Sequence, residues 1–184
     1  MDIDRRTLMT GLAASMTFAS EAEAASGFYS GTAWYVRGWG SRYFLPAELA
    51  SRGNNRVWVS KAMIAALDRV RAEVGHPIRI LSGYRDPSHN RRIGGAPNSR
   101  HIVGDAADID LSRYDEWARY ALLWHLIDNG FTSFGTYGDR PNMLHADMRP
   151  RAAIWRHGGG LHPDWLRRAL AEWRWEPIGG SPFR

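Results

Sequence analysis

Ser99-Arg100-His101-Ile102-Val103-Gly104-Asp105-Ala106-Ala107-Asp108-Ile109-Asp110 is the stretch on which the reading of the whole chain depends. It reads as a turn running into a short strand. From Asp108 polar and apolar residues alternate, the period of a half-buried strand, so Asp108 and Asp110 share one face while Ile109 and Leu111 turn to the core. Gly104 allows a bend, and Ala106 and Ala107 keep the strand entrance narrow enough for a neighbouring backbone to approach. His101 and Asp108 can each offer one ligand atom to a hard or borderline metal ion. Catalytic zinc sites use three protein ligands and keep one position open. The best third ligand is His145, in Asn142-Met143-Leu144-His145-Ala146-Asp147-Met148-Arg149. This second alternating segment puts Met143, His145, Asp147 and Arg149 on one face and Leu144, Ala146 and Met148 on the other. On spacing alone, a simple hydrogen bond between His101 and Asp108 within a turn competes with the metal.

Outward from that stretch, Pro77-Ile78-Arg79-Ile80-Leu81-Ser82-Gly83-Tyr84-Arg85 reads as a strand, with Ile78 and Ile80 on one face. An arginine at a strand end, Arg85, can pair with a carboxylate in bidentate fashion or support a developing oxyanion. The bland alternative is an ion pair with Asp86. Residues 86–98 are polar and suggest a short helix followed by a loop bordering a site, with His89 an exposed helix residue.

The three blocks Ser82-Gly83-Tyr84-Arg85, Ser99-x-His101-x-x-Gly104-x-Ala106-x-Asp108 and His145-x-Asp147 together resemble the zinc D-Ala-D-Ala carboxypeptidase-like metallopeptidases, and within them the exported murein endopeptidase branch. The blocks stand in the family's order, and the resemblance covers roughly residues 43 to 156. It implies a hedgehog/DD-peptidase-like fold and Zn²⁺ held by His101, Asp108 and His145. It also implies Arg85 on a substrate carbonyl or carboxylate, with Ser99 and Tyr84 beside the substrate. The implied reaction is hydrolysis of peptide bonds in peptidoglycan stem peptides or cross-links, by a D,D-endopeptidase or D,D-carboxypeptidase. Many relatives carry an acid/base residue two or three positions before the last ligand; here those positions are Met143 and Asn142, and neither can take a proton. Asp147 is the first candidate for the base because it shares a face with His145; orienting His101 or His145 is its alternative role. Asp139 and Asp110 follow. If Asp147 is the base, Asp147→Asn leaves zinc bound and removes most turnover. The rival to an enzyme is a non-catalytic zinc-containing module that docks on peptidoglycan or a protein; a hydrolase of a small dipeptide is a third reading.

The remaining chain frames these blocks. The length, 184 residues with 44% hydrophobic, suits one domain with a real core. The net charge is +5, carried almost wholly by arginine, since Lys61 is the sole lysine. The arginines are scattered and match no nucleic-acid motif, so a solvated basic surface is expected, with no nucleic-acid partner. Cysteine is absent, which excludes disulfides and thiolate metal sites. Arg5-Arg6, the apolar run Leu8 to Ala19, and Ala22-Glu23-Ala24 together read as a twin-arginine export signal over residues 1–24, removed on the way to a periplasmic or cell-wall location. The apolar run is too short for a stable membrane span. Residues 25–184 form one domain with a loose tail from Pro177. The aromatic-rich residues 26–43 read as an edge strand over Thr32 to Val36 plus loop, or as a flexible leader.

Ser60 as N-cap, the apolar positions Met63, Ile64, Leu67, Val70 and Val74, and Gly75 predict a helix from Lys61. A second helix is expected over Tyr114 to Gly130 and a third over Asp164 to Trp175. His125, inside the second, reads as a packed histidine. Residues 150–160 read as loop. The fold class is α+β: a small, mainly antiparallel sheet of strands near 78–84, 107–112, 131–137 and 143–149, flanked by helices.

Overall fold

The computed structural model describes residues 27–173. The expected export signal and the tail from Pro177 lie outside the described residues. Within them the chain is α+β, with two sheets and six helices. Strands β1 (Phe28–Thr32), β2 (Tyr35–Val36) and β3 (Arg56–Ser60) form a three-stranded antiparallel sheet in the order β2-β1-β3. The aromatic-rich segment is therefore a hairpin paired to β3, rather than one edge strand with a loop.

The larger sheet has five strands: β4 (Ile80–Ser82), β5 (Ala106–Asp110), β6 (Ser133–Tyr137), β7 (Met143–Asp147) and β8 (Ala153–His157), in the order β4-β5-β7-β6-β8. The first four match the expected strands, with β4 shorter than expected. Residues 153–157, read as loop, are a fifth strand parallel to β6, which makes the sheet mixed. After β7 the chain crosses the start of β6 to reach its far side. Thr132 anchors that crossing: its N–H donates to the Asp147 carbonyl at 3.0 Å and its hydroxyl to the Arg149 carbonyl at 2.5 Å.

Helix α1 (Pro46–Leu49) is one turn. Helix α2 (Lys61–Val74) starts where Ser60 Oγ accepts from the Met63 N–H at 3.3 Å, and ends at Gly75, whose φ of +74° only glycine adopts freely. Helix α3 (Pro87–Arg92) is capped by Asp86, and helix α4 (Arg100–Val103) is a single turn. Helix α5 (Glu116–Asp128) is capped by Asp115, whose carboxylate accepts from the Ala118 N–H at 2.9 Å, and α6 (Asp164–Glu172) follows β8.

One face of the five-stranded sheet supplies the core. Ala107, Ile109, Phe134, Leu144 and Ala146 pack with Met63, Ile64 and Leu67 of α2, Leu122, Leu123 and Leu126 of α5, and Leu166 and Leu170 of α6. Each large apolar side chain buried here stabilises the fold by about 1.5–3 kcal/mol. His125 sits at the α2–α5 contact, 3.0 Å from Glu73, as a structural histidine. No described helix is long and apolar enough to cross a membrane.

Candidate metal centre

The opposite face of that sheet is polar, and its register explains why. Ser82 lies opposite Asp108, Asp108 opposite His145, His145 opposite Gly135, and Gly135 opposite Trp155. One row thus crosses all five strands, and cross-strand partners project to the same side. His101 joins the row from α4. Ser99 sits at the helix start and Gly104 closes it at φ +89°, where a Cβ would lie 2.2 Å from the Trp58 carbonyl oxygen. The bend after His101 therefore requires glycine, and it turns the chain directly into β5.

His101, Asp108 and His145 converge as expected. His101 Nε2 lies 3.2 Å from Asp108 Oδ1 and 3.1 Å from His145 Nδ1, and the third edge, His145 Nδ1 to Asp108 Oδ1, is 3.0 Å. The other ring nitrogens are committed. His101 Nδ1–H donates to the Gly83 carbonyl at 2.7 Å, and His145 Nε2–H donates to Asp147 Oδ2 at 2.9 Å. These bonds set the tautomers and leave three lone pairs pointing at one another. A proton on His145 Nδ1 relieves one edge of that triangle; a cation at its centre relieves all three. Tetrahedral zinc with ligand bonds near 2.0–2.1 Å separates its ligand atoms by about 3.3 Å. The donor set and its spacing fit zinc.

All three ligands are buried, at 1%, 1% and 3% exposure for His101, Asp108 and His145. Burial depresses the basicity of His101, and Asp108 does not restore it. Burial works against the Asp108 anion too, but His101 and His145 override it and hold the carboxyl far below the usual carboxylate range. For His145, hydrogen bonds to Asp108 and Asp147 outweigh burial and raise its pKa. Without an ion, the site therefore favours a proton at the place the metal would take.

Arg85 is not paired with Asp86. Its Nη2 donates to Asp108 Oδ2, its Nε donates to Ser82 Oγ at 2.9 Å, and its backbone N–H donates to the His101 carbonyl at 3.1 Å. Asp86 instead accepts from Ser51 Oγ at 2.7 Å and caps α3. Gly83 has no room for a side chain, since a Cβ would stand 2.7 Å from Leu49 Cα, and this close fit brings its carbonyl to His101. Tyr84, expected beside the substrate, packs against the core, with its N–H on the Leu49 carbonyl at 2.8 Å.

Asp147 has no exposed surface, and both its oxygens are occupied. Arg149 donates to Oδ1 from Nε at 2.8 Å and to Oδ2 from Nη2 at 2.5 Å, while His145 holds Oδ2. Burial opposes its ionisation, but His145 and Arg149 hold it down to about 2. These surroundings favour the alternative role weighed for Asp147, orientation of His145. The further candidates Asp110 and Asp139 are committed elsewhere, as is the Asn142 side chain, which stands where many relatives carry the base. Asp110 pairs with Arg79 at 3.0 Å, Asp139 pairs with Arg140 at 3.3 Å on the surface, and the Asn142 side chain accepts from Arg119 at 2.8 Å.

The metal row opens onto a cleft of about 770 Å³, lined by Ser99, Arg85 and the three ligands among others. Arg52, Arg100, Arg140 and Arg149 also line it, and Asp108 is the sole carboxylate among the described lining residues. His89, expected on an exposed helix face, is half-buried and lines it too. Met143, Tyr137, Trp155 and His157 line it as well, and none of them is a site candidate from the sequence. Trp155 and His157 have the two-residue spacing of a strand face, which is the signal that could have found them. The Trp155 indole lies over Gly135, where a Cβ would stand 2.2 Å from the ring, and rests 5.1 Å from the His145 ring centroid.

An α+β domain that brings two histidines and one aspartate together at an open cleft defines the class: a fold with a group that could hold a metal ion. The family is particular. The Peptidase M15 model matches residues 42–147, more than half of the chain, and the protein belongs to that zinc D-Ala-D-Ala carboxypeptidase-like family. No curated protein matches the sequence.

Proposed function

We propose that the protein is a zinc-dependent peptidase that hydrolyses peptide bonds in peptidoglycan stem peptides or cross-links, as an endopeptidase or a carboxypeptidase. The observation that carries the reading is the triangle of three buried lone pairs whose other atoms are all fixed by Gly83, Asp147 and Arg85. Bound Zn²⁺ would supply Lewis acidity toward water and toward an amide carbonyl. His101, Asp108 and His145 would hold it, and Asp147 acts as a positioning residue that presents His145 Nδ1. Arg85 holds Asp108 and closes the floor of the cleft. Ser99 supplies a hydroxyl at the wall for a peptide group. The arginine-rich lining suits a substrate with free carboxylates, such as an acidic stem peptide. Among the described lining residues, His89 and His157 are the imidazoles outside the metal group, and the proton released by water and needed by the leaving amine would fall to one of them. The twin-arginine stretch supports an exported location, where such a substrate is found.

Among the described lining residues Asp108 is the sole carboxylate, which favours one second reading, a zinc-holding module that binds peptidoglycan without cutting it. The test is metal content together with release of new peptide ends from purified peptidoglycan, with and without chelator. One zinc per chain and chelator-sensitive cleavage are expected, and the new end group names the bond. Zinc with no cleavage establishes the binding module. A chain that takes up no zinc overturns both.

A further inference from the structure

Tyr137 closes β6 two residues beyond Gly135, on the same strand face, and Gly135 is the direct partner of His145. Neighbouring strands lie about 4.8 Å apart and alternate residues about 6.7 Å apart, which sets the Tyr137 Cα about 8 Å from that of His145. Both side chains stand on the cleft side of the sheet, and both line the same cleft. The ring is held on three sides: edge-on to Trp155 with centroids 5.4 Å apart, 6.1 Å from His157, and with the Arg140 guanidinium 5.3 Å over its face. The hydroxyl, by contrast, has no hydrogen-bond partner among the described residues, although the side chain is half-buried and lines the cleft. A fixed ring with an unpartnered donor on the wall of a metal cleft is poised for a ligand oxygen. Burial and the nearby Asp108 carboxylate keep the phenol protonated, hence a donor.

The neighbouring guanidinium groups are largely committed, so the phenol would act beside Arg85 rather than in its place. Arg85 spends Nε on Ser82 and Nη2 on Asp108, and Arg149 spends its fork on Asp147. We propose that Tyr137 is a catalytic residue whose phenol donates a hydrogen bond to the scissile carbonyl oxygen as that oxygen becomes negative. This rests on the peptidase reading. In the step, a water oxygen bonds to the carbonyl carbon, the carbon–nitrogen bond breaks, and the proton lost by water ends on the leaving nitrogen. Tyr137 keeps its own proton throughout, so its contribution is confined to charge stabilisation.

The variant is Tyr137→Phe, which keeps the ring packing and removes the donor. In zinc-loaded protein it should leave metal affinity and melting temperature unchanged. Turnover of a D-Ala-D-Ala-terminated peptide or purified peptidoglycan should fall about 10²–10³-fold in kcat, with KM nearly constant. A second readout is independent of turnover: calorimetric binding of the phosphinate analogue of D-Ala-D-Ala, whose anionic oxygens imitate the charged carbonyl. The substitution should weaken that binding at least tenfold. If wild-type protein binds the phosphinate but cleaves nothing, the peptidase reading fails, and the phosphinate comparison still decides whether Tyr137 serves an anionic oxygen. Equal phosphinate binding by the two proteins, turnover preserved within twofold, or a wild-type protein that binds no phosphinate overturns the role of Tyr137.

Discussion

On one face of the five-stranded sheet Ile109, Phe134 and Leu144 have no exposed surface; on the other, Asp108, His145 and Asp147 are buried almost as completely. The residues alternate along the same strands, Leu144 beside His145 and Ile109 beside Asp108, so both faces share one backbone. The apolar face gains free energy from burial itself. The polar face loses by it, because a buried carboxylate or imidazole gives up its water, and each group must recover that loss from a named partner. Asp108 has Arg85 and the two histidines; Asp147 has Arg149 and His145. Burial of one kind makes a fold, and burial of the other makes a place where an ion is worth more than it would be in water.

The sharpest way to break that contrast is to remove a ligand. Asp108→Ala deletes one lone pair from the triangle and the counter-charge of Arg85 at once. Zinc content should fall from one per chain to none, and turnover of peptidoglycan to background, with metal analysis and end-group release as the measurements. Next in size is a change one residue away on the other face. Leu144→Ala leaves a cavity under the sheet and should cost about 2–5 kcal/mol in denaturant unfolding. The folded fraction should still bind one zinc per chain. If Leu144→Ala lost zinc as well, the two faces would not be separable, and the site would depend on core packing as much as on its own partners.

How far these faces were legible in the sequence follows from the same division. Alternation in Asp108-Ile109-Asp110 and Leu144-His145-Ala146 is a local signal, and it separates the side chains that meet the core from those on the opposite face, where Asp108 and His145 come together with His101. The three blocks that carry the family resemblance also held the ligands together. The partners were not legible, because they arise from register and from loop paths. Nothing in Arg85-Asp86 says that the arginine will reach 23 residues forward to Asp108 instead of sideways to its neighbour. Nothing in His145-Ala146-Asp147-Met148-Arg149 distinguishes a carboxylate facing solvent from one clamped by a guanidinium two residues on. Ala153-Ile154-Trp155-Arg156-His157 carries no clear strand signal, because it is short, lacks polar–apolar alternation and is followed by three glycines, a composition that suits a loop. It becomes a strand by pairing with β6, and that non-local pairing brings Trp155 and His157 to the cleft. The hairpin of β1 and β2 was blurred for a similar reason, since its pairing partner β3 lies beyond a helix.

The smallest effect concerns Asp147, the carboxylate that serves the site without facing the cleft. Asp147→Asn keeps the shape and removes the charge that orients His145. Loss of such a partner weakens metal binding about 10–100-fold, so zinc titration should show that drop, while the zinc-loaded variant should keep turnover within several-fold of wild type. A collapse of turnover at full zinc loading would instead make Asp147 the proton carrier. The metal-free protein provides a further check through pH. The carboxyl is held at about 2, against an ordinary 3.8, so its folded-state pKa is lowered. A lowered carboxyl pKa contributes stability that is complete above the unfolded value and disappears as pH falls through the folded one. The contribution is about 2 kcal/mol, available above roughly pH 4 and gone near pH 2. Wild-type metal-free protein should therefore exceed Asp147→Asn in unfolding free energy at neutral pH, and the gap should close as pH falls from 4 to 2. A gap that stayed constant over that window would mean that Asp147 contributes through shape alone, and that the polar face is held by packing in the same way as the apolar one.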